Sequence, residues 1–153
     1  MNLLEPAKSS DREAVNALAI QVHDLHVGWQ PQYYEHTDLL YNEARFQKAL
    51  DERIMYVAKL NGEIVGYVTL PVMEICHAGS KPMKAMKLEE LCVADGHRHK
   101  GIGRQIMEDV KSIAMEMGCT DLRLTCAPQN AAAIGLYESM GMEIKNLQYF
   151  LIL

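Results

Sequence analysis

The chain has 153 residues, of which 49% are hydrophobic and 23% are charged, and its formal net charge is −5. These values are ordinary for one soluble domain of mixed secondary structure. The acidic balance argues against nucleic acid as a partner, because phosphate binding needs a basic face. No stretch approaches the ~20 apolar residues of a membrane span, and the start lacks a signal-peptide pattern, so we expect a cytoplasmic protein without a membrane partner.

No internal repeat, low-complexity tract or linker divides the sequence, so residues 1–153 are expected to form a single domain. The His23 and His26 pair has no apparent third ligand, which favours no metal site. The cysteines form no CxxC pair and have no HxxxH nearby, so buried reduced thiols are the favoured interpretation. They are Cys76, Cys92, Cys119 and Cys126.

The first half predicts a strand, two helices and a hairpin. "NLLEPA" is typical of a strand, and "SDRE" fits a capping box with Ser10 as N-cap, which starts a helix that ends near His26. Residues 27–37 predict a loop, and a second helix is expected from about 39 to 51. Strands at 54–60 and 63–72 are joined by Asn61-Gly62, a strong hairpin signal.

The second half predicts a loop at 77–85 and a fourth strand at 86–93. Apolar residues then recur at three- and four-residue steps from Ile102, which indicates a helix that ends near Gly118. A strand at 121–126, a helix at 128–141 closed by Gly141, and two strands within 142–153 should follow. This order predicts an α/β (α+β) fold with a mixed, mostly antiparallel sheet of seven strands and about four flanking helices.

The segment "VADGHRHKGIGRQIMEDV" places a basic cluster and two glycines directly before the third helix. Free amides and the helix dipole attract anions there, and Gly101 and Gly103 would let a phosphate approach while Arg98 and Lys100 add charge. Alternatively, the glycines only shape a turn and the basic residues are solvated. A dinucleotide fingerprint does not fit because Ile106 stands at its third glycine, and a P-loop does not fit because Lys100 precedes Gly101.

Two spaced motifs point to a known family. The pattern RxxGxG follows the strand-ending Val93, and a second pattern, NxxAxxxYxxxG, follows about thirty residues later on the next helix. Together they resemble the GNAT superfamily of acyl-CoA-dependent N-acetyltransferases, with the strongest likeness from Leu88 to Met142. The chain departs from the usual family pattern at Asp95, in place of proline, and at Met142, in place of phenylalanine. The motif residues are Arg98, Gly101, Gly103, Asn130, Ala133, Tyr137 and Gly141.

The resemblance implies that acetyl-CoA is the co-substrate, with its pyrophosphate on the glycine turn and its pantetheine arm along the fourth strand. Cys92 is the position that we expect to supply the N–H facing the thioester carbonyl. Its thiol is not expected to be a nucleophile, because no His/Asp partner can be assigned to it. The expected contacts with acetyl-CoA are Leu91, Cys92, Val93, Arg98, His99, Lys100, Gly101, Ile102, Gly103, Arg104, Asn130 and Tyr137.

Three side chains are candidates for catalysis. An alkyl ammonium with a pKa near ~10.4 needs a base at pH 7, and Glu89 and Glu90 are available. Strand alternation would place them on opposite faces, so at most one should point at the amine, and the family's usual position favours Glu89. A charged residue at a frayed strand end is the alternative for either. The resemblance implies that Tyr137 is the general acid for the CoA thiolate.

The implied function is transfer of an acetyl group from acetyl-CoA directly to a primary amine of a small molecule or peptide. A non-catalytic acyl-CoA sensor and an interaction module on the same fold are the alternatives. The family's acceptor site lies between the first two helices, their loop and the last hairpin, where Trp29, Tyr33 and Tyr34 could contact substrate or form the loop's own small core. The apolar end "YFLIL" could lie at a homodimer edge.

Overall fold

A computed structural model describes residues 2–153 and contains four α-helices and seven strands within that range. Short 3-10 turns at Ser9–Asp11 and Asp95–His97 precede the first and third helices. In chain order the elements are β1 (Leu4–Pro6), α1 (Arg12–Trp29), α2 (Glu43–Asp51), β2 (Met55–Leu60), β3 (Glu63–Thr69), β4 (Val72–Ile75), β5 (Met83–Leu88), β6 (Glu90–Val93), α3 (Ile102–Glu116), β7 (Asp121–Leu124) and α4 (Ala131–Ser139).

The strands form two sheets, of order β1-β2-β3-β6 and β4-β5-β7. Every pairing is antiparallel except that of β5 with β7, so the predicted mixed, mostly antiparallel α/β architecture is confirmed. The number of strands agrees with the prediction, but their positions differ. The predicted strand 63–72 is interrupted at Leu70 and Pro71, the predicted strand 86–93 is interrupted at Glu89, and the described residues 142–153 contain no strand.

One extra residue separates β5 from β6. Thr69 pairs with Glu90, and Val72 pairs with Met86. Thr69 and Val72 are thus three residues apart, whereas their partners Glu90 and Met86 are four residues apart. Glu89 is the inserted residue, and its amide donates to the carbonyl of Thr69 at 3.0 Å although Glu90 is the register partner of Thr69. Two residues opposite one is a β-bulge, which bends the strand and redirects its side chains.

The helix starts differ from the predicted positions. Ser10 is not the N-cap of α1, because a 3-10 turn precedes the helix and the carboxylate of Asp11 accepts from the amide of Lys8 at 2.8 Å. The second helix starts later than predicted because Asn42 caps it by accepting from the amide of Arg45 at 2.8 Å. The predicted left-handed residue after α4 is confirmed, since Gly141 has a φ of 82°.

Side chains fill two core clusters. Buried residues of α3, including Ile102, Ile106 and Val110, pack in one cluster with Val68, which confirms the predicted apolar face of that helix. Val15 of α1 and Phe46 of α2 belong to the other cluster, together with Val57 and Tyr67. Neighbouring residues of β3 therefore contribute to different clusters, as the alternation of side chains along a strand requires. The sheet formed by β1, β2, β3 and β6 thus lies between α3 and the first two helices.

A buried carboxylate joins α3 to the N-terminal strand. Asp109 is only 5% exposed. One oxygen of Asp109 accepts from the amides of Leu3 at 2.6 Å and Leu4 at 3.1 Å, and the other accepts from the side chain of Gln105 at 3.0 Å. These bonds satisfy backbone donors that have no strand partner on that side.

Replacing Asp109 should destabilise the protein. In Asp109→Ala the two amides lose their acceptor, so we expect the free energy of unfolding to fall by about 2–3 kcal/mol, as is typical of a lost hydrogen bond to a charged group. Urea unfolding measures this change. Glu108→Ala, at an exposed position of the same helix, is the control and should change stability by less than about 0.5 kcal/mol. Equal stability of both variants would contradict this role of Asp109.

Candidate functional site

A cavity of about 330 Å³ is lined by the start of β6 and the end of β7, two strands that belong to different sheets. Its walls come from α1, the loop before α2, the start of α2, the bulged strand, the end of β7 and α4. Four of the side chains predicted for catalysis or acetyl-CoA binding line it, as does the first predicted backbone contact of β6. They are Glu89, Glu90, Asn130, Tyr137 and Leu91.

The glycine turn lies at the N-terminus of α3, where Gly103 approaches Val93 of β6 and Leu136 of α4. Gly101 is the N-cap residue with a φ of 82°, and the space where a side chain would lie is open, with nothing within 4 Å. The first hydrogen bond of the helix runs from the amide of Gln105 to Gly101, and the amides of residues 99–104 have no acceptor within residues 2–153. Free amides at a helix N-terminus bind anions, so the turn has the geometry of a phosphate site.

The basic residues of the turn bind the turn itself. Arg98 donates from Nε to the carbonyl of Val93 at 3.0 Å and pairs through Nη1 with Asp95 at 2.7 Å, while Lys100 donates to the carbonyl of Gly96 at 2.7 Å. Asp95, the departure from the family pattern, therefore neutralises Arg98 locally. The side chains of Arg98 and Lys100 thus hold the turn against the end of β6 and within itself. The groups that remain available for an anion are the unbonded amides of residues 99–104.

One edge of β6 is open. The amide of Ala94 donates to Val65 of β3 at 2.8 Å, and Cys92 lies opposite Tyr67 in the same ladder. Donors on one side of an antiparallel strand recur every second residue, so the amide of Cys92 also points to β3. The expectation that Cys92 supplies the N–H for the thioester carbonyl is therefore wrong. Leu91 is the residue of β6 whose amide faces the open edge and whose side chain also lines the cavity.

The thiol of Cys92 is buried and protonated. It donates to the carbonyl of Leu18 at 3.2 Å, and burial raises the pKa of this thiol to about 12. A thiol needs to ionise to act as a nucleophile, so Cys92 has no such role at neutral pH. Burial also raises the pKa of Cys126, the cysteine that lines the cavity.

Both glutamates line the cavity, in contrast to the expectation that alternation would admit only one. The reason is the bulge, which breaks the alternation between Glu89 and Glu90. The side chain of Glu89 is 44% exposed and pairs with Lys87 at 3.3 Å. The carboxylate of Glu90 is less exposed, at 32%, and receives Arg45 Nη2 at 3.1 Å as well as the hydroxyl of Tyr41.

The remaining predicted pair lies on and before α4. Tyr137 is partly buried, and burial, with a smaller effect of Cys126, raises its pKa to about 12. Its hydroxyl therefore keeps its proton at neutral pH and can donate a hydrogen bond into the cavity. Asn130 caps the helix by accepting from the amide of Ala133 at 3.2 Å, so its position is fixed by the helix that it starts.

Of the three predicted acceptor contacts, only Tyr34 lines the cavity. Trp29 packs edge-on against His26, with ring centroids 5.3 Å apart, and Tyr33 packs between Tyr34 and Phe150. These two rings support the loop, as its own small core would. Six further polar or reactive residues of the cavity were not predicted as site residues from the sequence. They are His23, His26, Arg45, Tyr67, Thr125 and Cys126.

The signals for these residues were partial. His26 follows Val22 by four positions on α1, so helical periodicity places both on one face, and both line the cavity. Arg45 and Tyr67 carry no local motif, because only the fold brings them to Glu90. Across residues 2–153 there is no helix long and apolar enough to cross a membrane, and no group of three or more side chains that could hold a metal ion.

Comparison with known proteins gives consistent relatives. The chain is 34% identical over 96 residues to N-acetyltransferase family 8 member 2 of Rattus norvegicus, covering 62% of this chain and 40% of that protein. It is 36% identical over 56 residues to thialysine N-epsilon-acetyltransferase of Bos taurus, which covers 37% of this chain and 33% of that protein. It is 32% identical over 91 residues to streptothricin acetyltransferase of Streptomyces lavendulae, which covers 60% of this chain and 44% of that protein. The matches thus span less than half of each relative.

Solved structures share the whole fold. A tetramutant of the BH1408 protein from Bacillus halodurans superimposes with a TM-score of 0.92 at 25% identity, over 98% of this chain and 99% of that chain. The aminoglycoside N-acetyltransferase AAC(6')-Iy in complex with CoA superimposes with a TM-score of 0.71 at 15% identity, over 97% of both chains. The family model described as "Acetyltransferase (GNAT) family" matches residues 19–142, which is most of the chain. This protein therefore belongs to the GNAT family of acetyltransferases.

Proposed function

We propose that the protein transfers an acetyl group from acetyl-CoA directly to a primary amine of a small molecule or peptide. The observation that carries the proposal is one cavity lined by the open-edge residue Leu91, by two carboxylates and by the protonated Tyr137. The strand that contains Leu91 leads directly to a turn of free amides. Each group answers one demand of the reaction: placement of the thioester, removal of a proton from the amine, and donation of a proton to the sulfur.

The donor half of the site fits acetyl-CoA. The free amides of residues 99–104 would receive the pyrophosphate, with Arg98 and Lys100 fixing the turn, while the pantetheine arm would extend the sheet along the open edge of β6. The amide of Leu91 would then face the thioester oxygen, where negative charge grows during acyl transfer. Asn130, the N-cap of α4, and Tyr137, in its second half, line the same cavity as Leu91.

Proton transfers are assigned to Glu89 and Tyr137. Glu89 is the more exposed of the two glutamates, and its only charged partner within residues 2–153 is Lys87, so it can take a proton from the amine, directly or through water. Tyr137 is protonated and can pass its proton to the departing sulfur, then regain one from solvent. Transfer is direct, since the cysteines near the site, Cys92 and Cys126, both have raised pKa values, and within residues 2–153 their thiols bond only to the carbonyls of Leu18 and Ala127.

The acceptor is proposed to be an aliphatic primary amine. Two of the relatives are named for amine substrates, thialysine at its epsilon position and streptothricin. Glu89 and Glu90 both line the cavity, and although each already pairs with one cation, both keep acceptor positions for the N–H groups of an amine. The proposal also keeps the cytoplasm as location, because the free cysteines suit a reducing compartment.

The function is tested by thiol release from acetyl-CoA across a panel of diamines, lysine analogues and aminoglycosides. In Tyr137→Phe we expect kcat to fall by about 10² to 10⁴, the usual contribution of a general acid, while acetyl-CoA affinity stays unchanged. Because the pKa of Tyr137 is raised to about 12, its proton is present throughout pH 7–10, and kcat should not fall with a midpoint near 10.

The matched control for that experiment is Tyr56→Phe, since Tyr56 lies on β2 and does not line the cavity. It should leave kcat within twofold of the wild type. An unchanged kcat in Tyr137→Phe removes Tyr137 from the acid role. Acetyl-CoA binding without turnover of any amine would instead favour an acyl-CoA sensor, and absence of binding would favour an interaction module.

The glycine turn predicts a separate effect on donor binding. In Gly101→Val the side chain would be forced into a φ of 82° and would fill the open approach to the amides, so we expect the Kd for acetyl-CoA to rise by about tenfold or more. Calorimetry measures the Kd. Gly79→Val carries the same kind of strain, at a φ of 81° in the loop between β4 and β5, and should leave the Kd unchanged. Equal Kd values for both variants and the wild type would refute the phosphate site.

We also propose that the protein is a homodimer joined through its C-terminal segment, defined as residues 143–153. All of these residues are exposed, and none of them forms a backbone hydrogen bond within residues 2–153. A run such as "YFLIL" is apolar on both faces and suits a strand covered on both sides. The same chain offers a free edge on β7, which pairs only with β5, so the C-terminal segment of a second copy is the occupant that we assign to it.

The dimer predicts a mass twice the chain mass of 17.3 kDa in size-exclusion chromatography with light scattering. Leu151→Glu places a charge in the apolar run and should yield the monomer, whereas Gln148→Glu, at a polar position of the same segment, should leave the dimer intact. A monomeric wild type, or a dimeric Leu151→Glu, would contradict the proposal.

A further inference from the structure

Glu90 is held by side chains from two other elements. The hydroxyl of Tyr41, from the loop before α2, donates to Oε2 of Glu90, and Nη2 of Arg45 on α2 lies 3.1 Å from Oε1. Tyr67 on β3 packs its ring against that of Tyr41, and burial, with a smaller effect of the Glu90 charge, raises the pKa of Tyr67. Arg45, Glu90 and Tyr67 all line the cavity.

The groups around Glu90 are themselves fixed. Tyr41 and Tyr67 are each only 2% exposed, and their rings meet edge to face at 6.0 Å. The guanidinium of Arg45 lies 4.2 Å above the ring centre of Tyr41, and its Nη1 donates to the carbonyl of Leu40 at 2.7 Å. The carboxylate of Glu90 is thus bound by a buried hydroxyl and by a guanidinium that has two further contacts, whereas the charged partner of Glu89 is Lys87, a long chain with a single donor nitrogen.

The remaining acceptor capacity of Glu90 is directed by these contacts. Each carboxylate oxygen can accept two hydrogen bonds, and one position on each is taken, by Tyr41 on Oε2 and by Arg45 on Oε1. Each oxygen therefore keeps one free position, and the side chain is 32% exposed. The neighbouring donors already satisfy part of its charge, so Glu90 is better suited to accept a hydrogen bond from a ligand than to remove a proton.

We propose that Glu90 binds the acceptor nitrogen of a primary aliphatic amine, and that Tyr41, Arg45 and Tyr67 are positioning residues that set the direction of its free acceptor positions. This inference rests on the proposed function and divides the work of the two glutamates. A neutral amine has two N–H donors and one lone pair. When the fixed carboxylate of Glu90 accepts a hydrogen bond from one N–H, the lone pair of the amine nitrogen points in a defined direction. Glu89 then remains free to take the proton that the nitrogen loses during acyl transfer.

Binding of 1,5-diaminopentane in the presence of saturating CoA tests this division without requiring turnover. By calorimetry, Glu90→Gln should raise the Kd of the diamine at least tenfold, and Tyr41→Phe about fivefold. Because Tyr41 acts through Glu90, Tyr41→Phe should change the Kd less than twofold when Glu90→Gln is already present. Tyr56→Phe, at a tyrosine of β2 outside the cavity, is the matched control and should bind like the wild type.

Kinetics with the same diamine give a second readout that a purely structural role would not produce. Glu90→Gln and Arg45→Gln should raise KM more than they lower kcat, whereas Glu89→Gln should lower kcat more than it raises KM. A wild type that does not bind the diamine, equal Kd values for the wild type and Glu90→Gln, or an undiminished effect of Tyr41→Phe beside Glu90→Gln would each overturn the inference. Diamine binding that depends on Glu90 without any thiol release would refute only the proposed function.

Discussion

The site depends on the one extra residue at Glu89. Without it, β5 and β6 would continue as one regular strand, and Glu89 and Glu90 would point to opposite faces. With it, β6 pairs with β3 while β5 pairs with β7, and a cavity lies where the two sheets part. The same irregularity that opens the donor path along β6 therefore also brings both carboxylates to it. A bulge next to a functional site is a common device for directing side chains.

The open edge of β6 is maintained by contacts at its end and on its other side. Gly66 of β3 allows a close approach, since a Cβ there would lie 2.5 Å from the carbonyl oxygen of Cys92. Arg98 binds the carbonyl of Val93 and so joins the last residue of β6 to the turn before α3. Strand edge and amide turn are thus parts of one rigid unit, in which the guanidinium serves structure and the amides remain for the ligand. This explains why a paired arginine belongs in an anion site.

The sequence predicted local features well and long-range features poorly. The helix α3, the Asn61-Gly62 hairpin and the left-handed Gly141 follow from patterns that a few neighbouring residues define. The bulge leaves no such pattern, because "MKLEELCV" has the composition of an uninterrupted strand. The C-terminal segment has strand composition too, yet its partner would have to come from elsewhere, and the described chain supplies none. Composition thus indicated the ability to form a strand but not the pairing.

The candidate site shows the same division. The donor half was predictable because the turn and the residues of α4 form two compact motifs, and only the hydrogen-bond direction of β6 moved the expected donor from Cys92 to Leu91. The proposed acceptor half was not predictable, because Glu90 contacts Tyr41 and Arg45, which are 49 and 45 residues away in the sequence. These contacts form only when the segment around α2 packs against the bulged strand. Under the proposed function, selectivity for the amine depends on how that segment folds, whereas selectivity for the donor depends on a turn that is complete within a few residues.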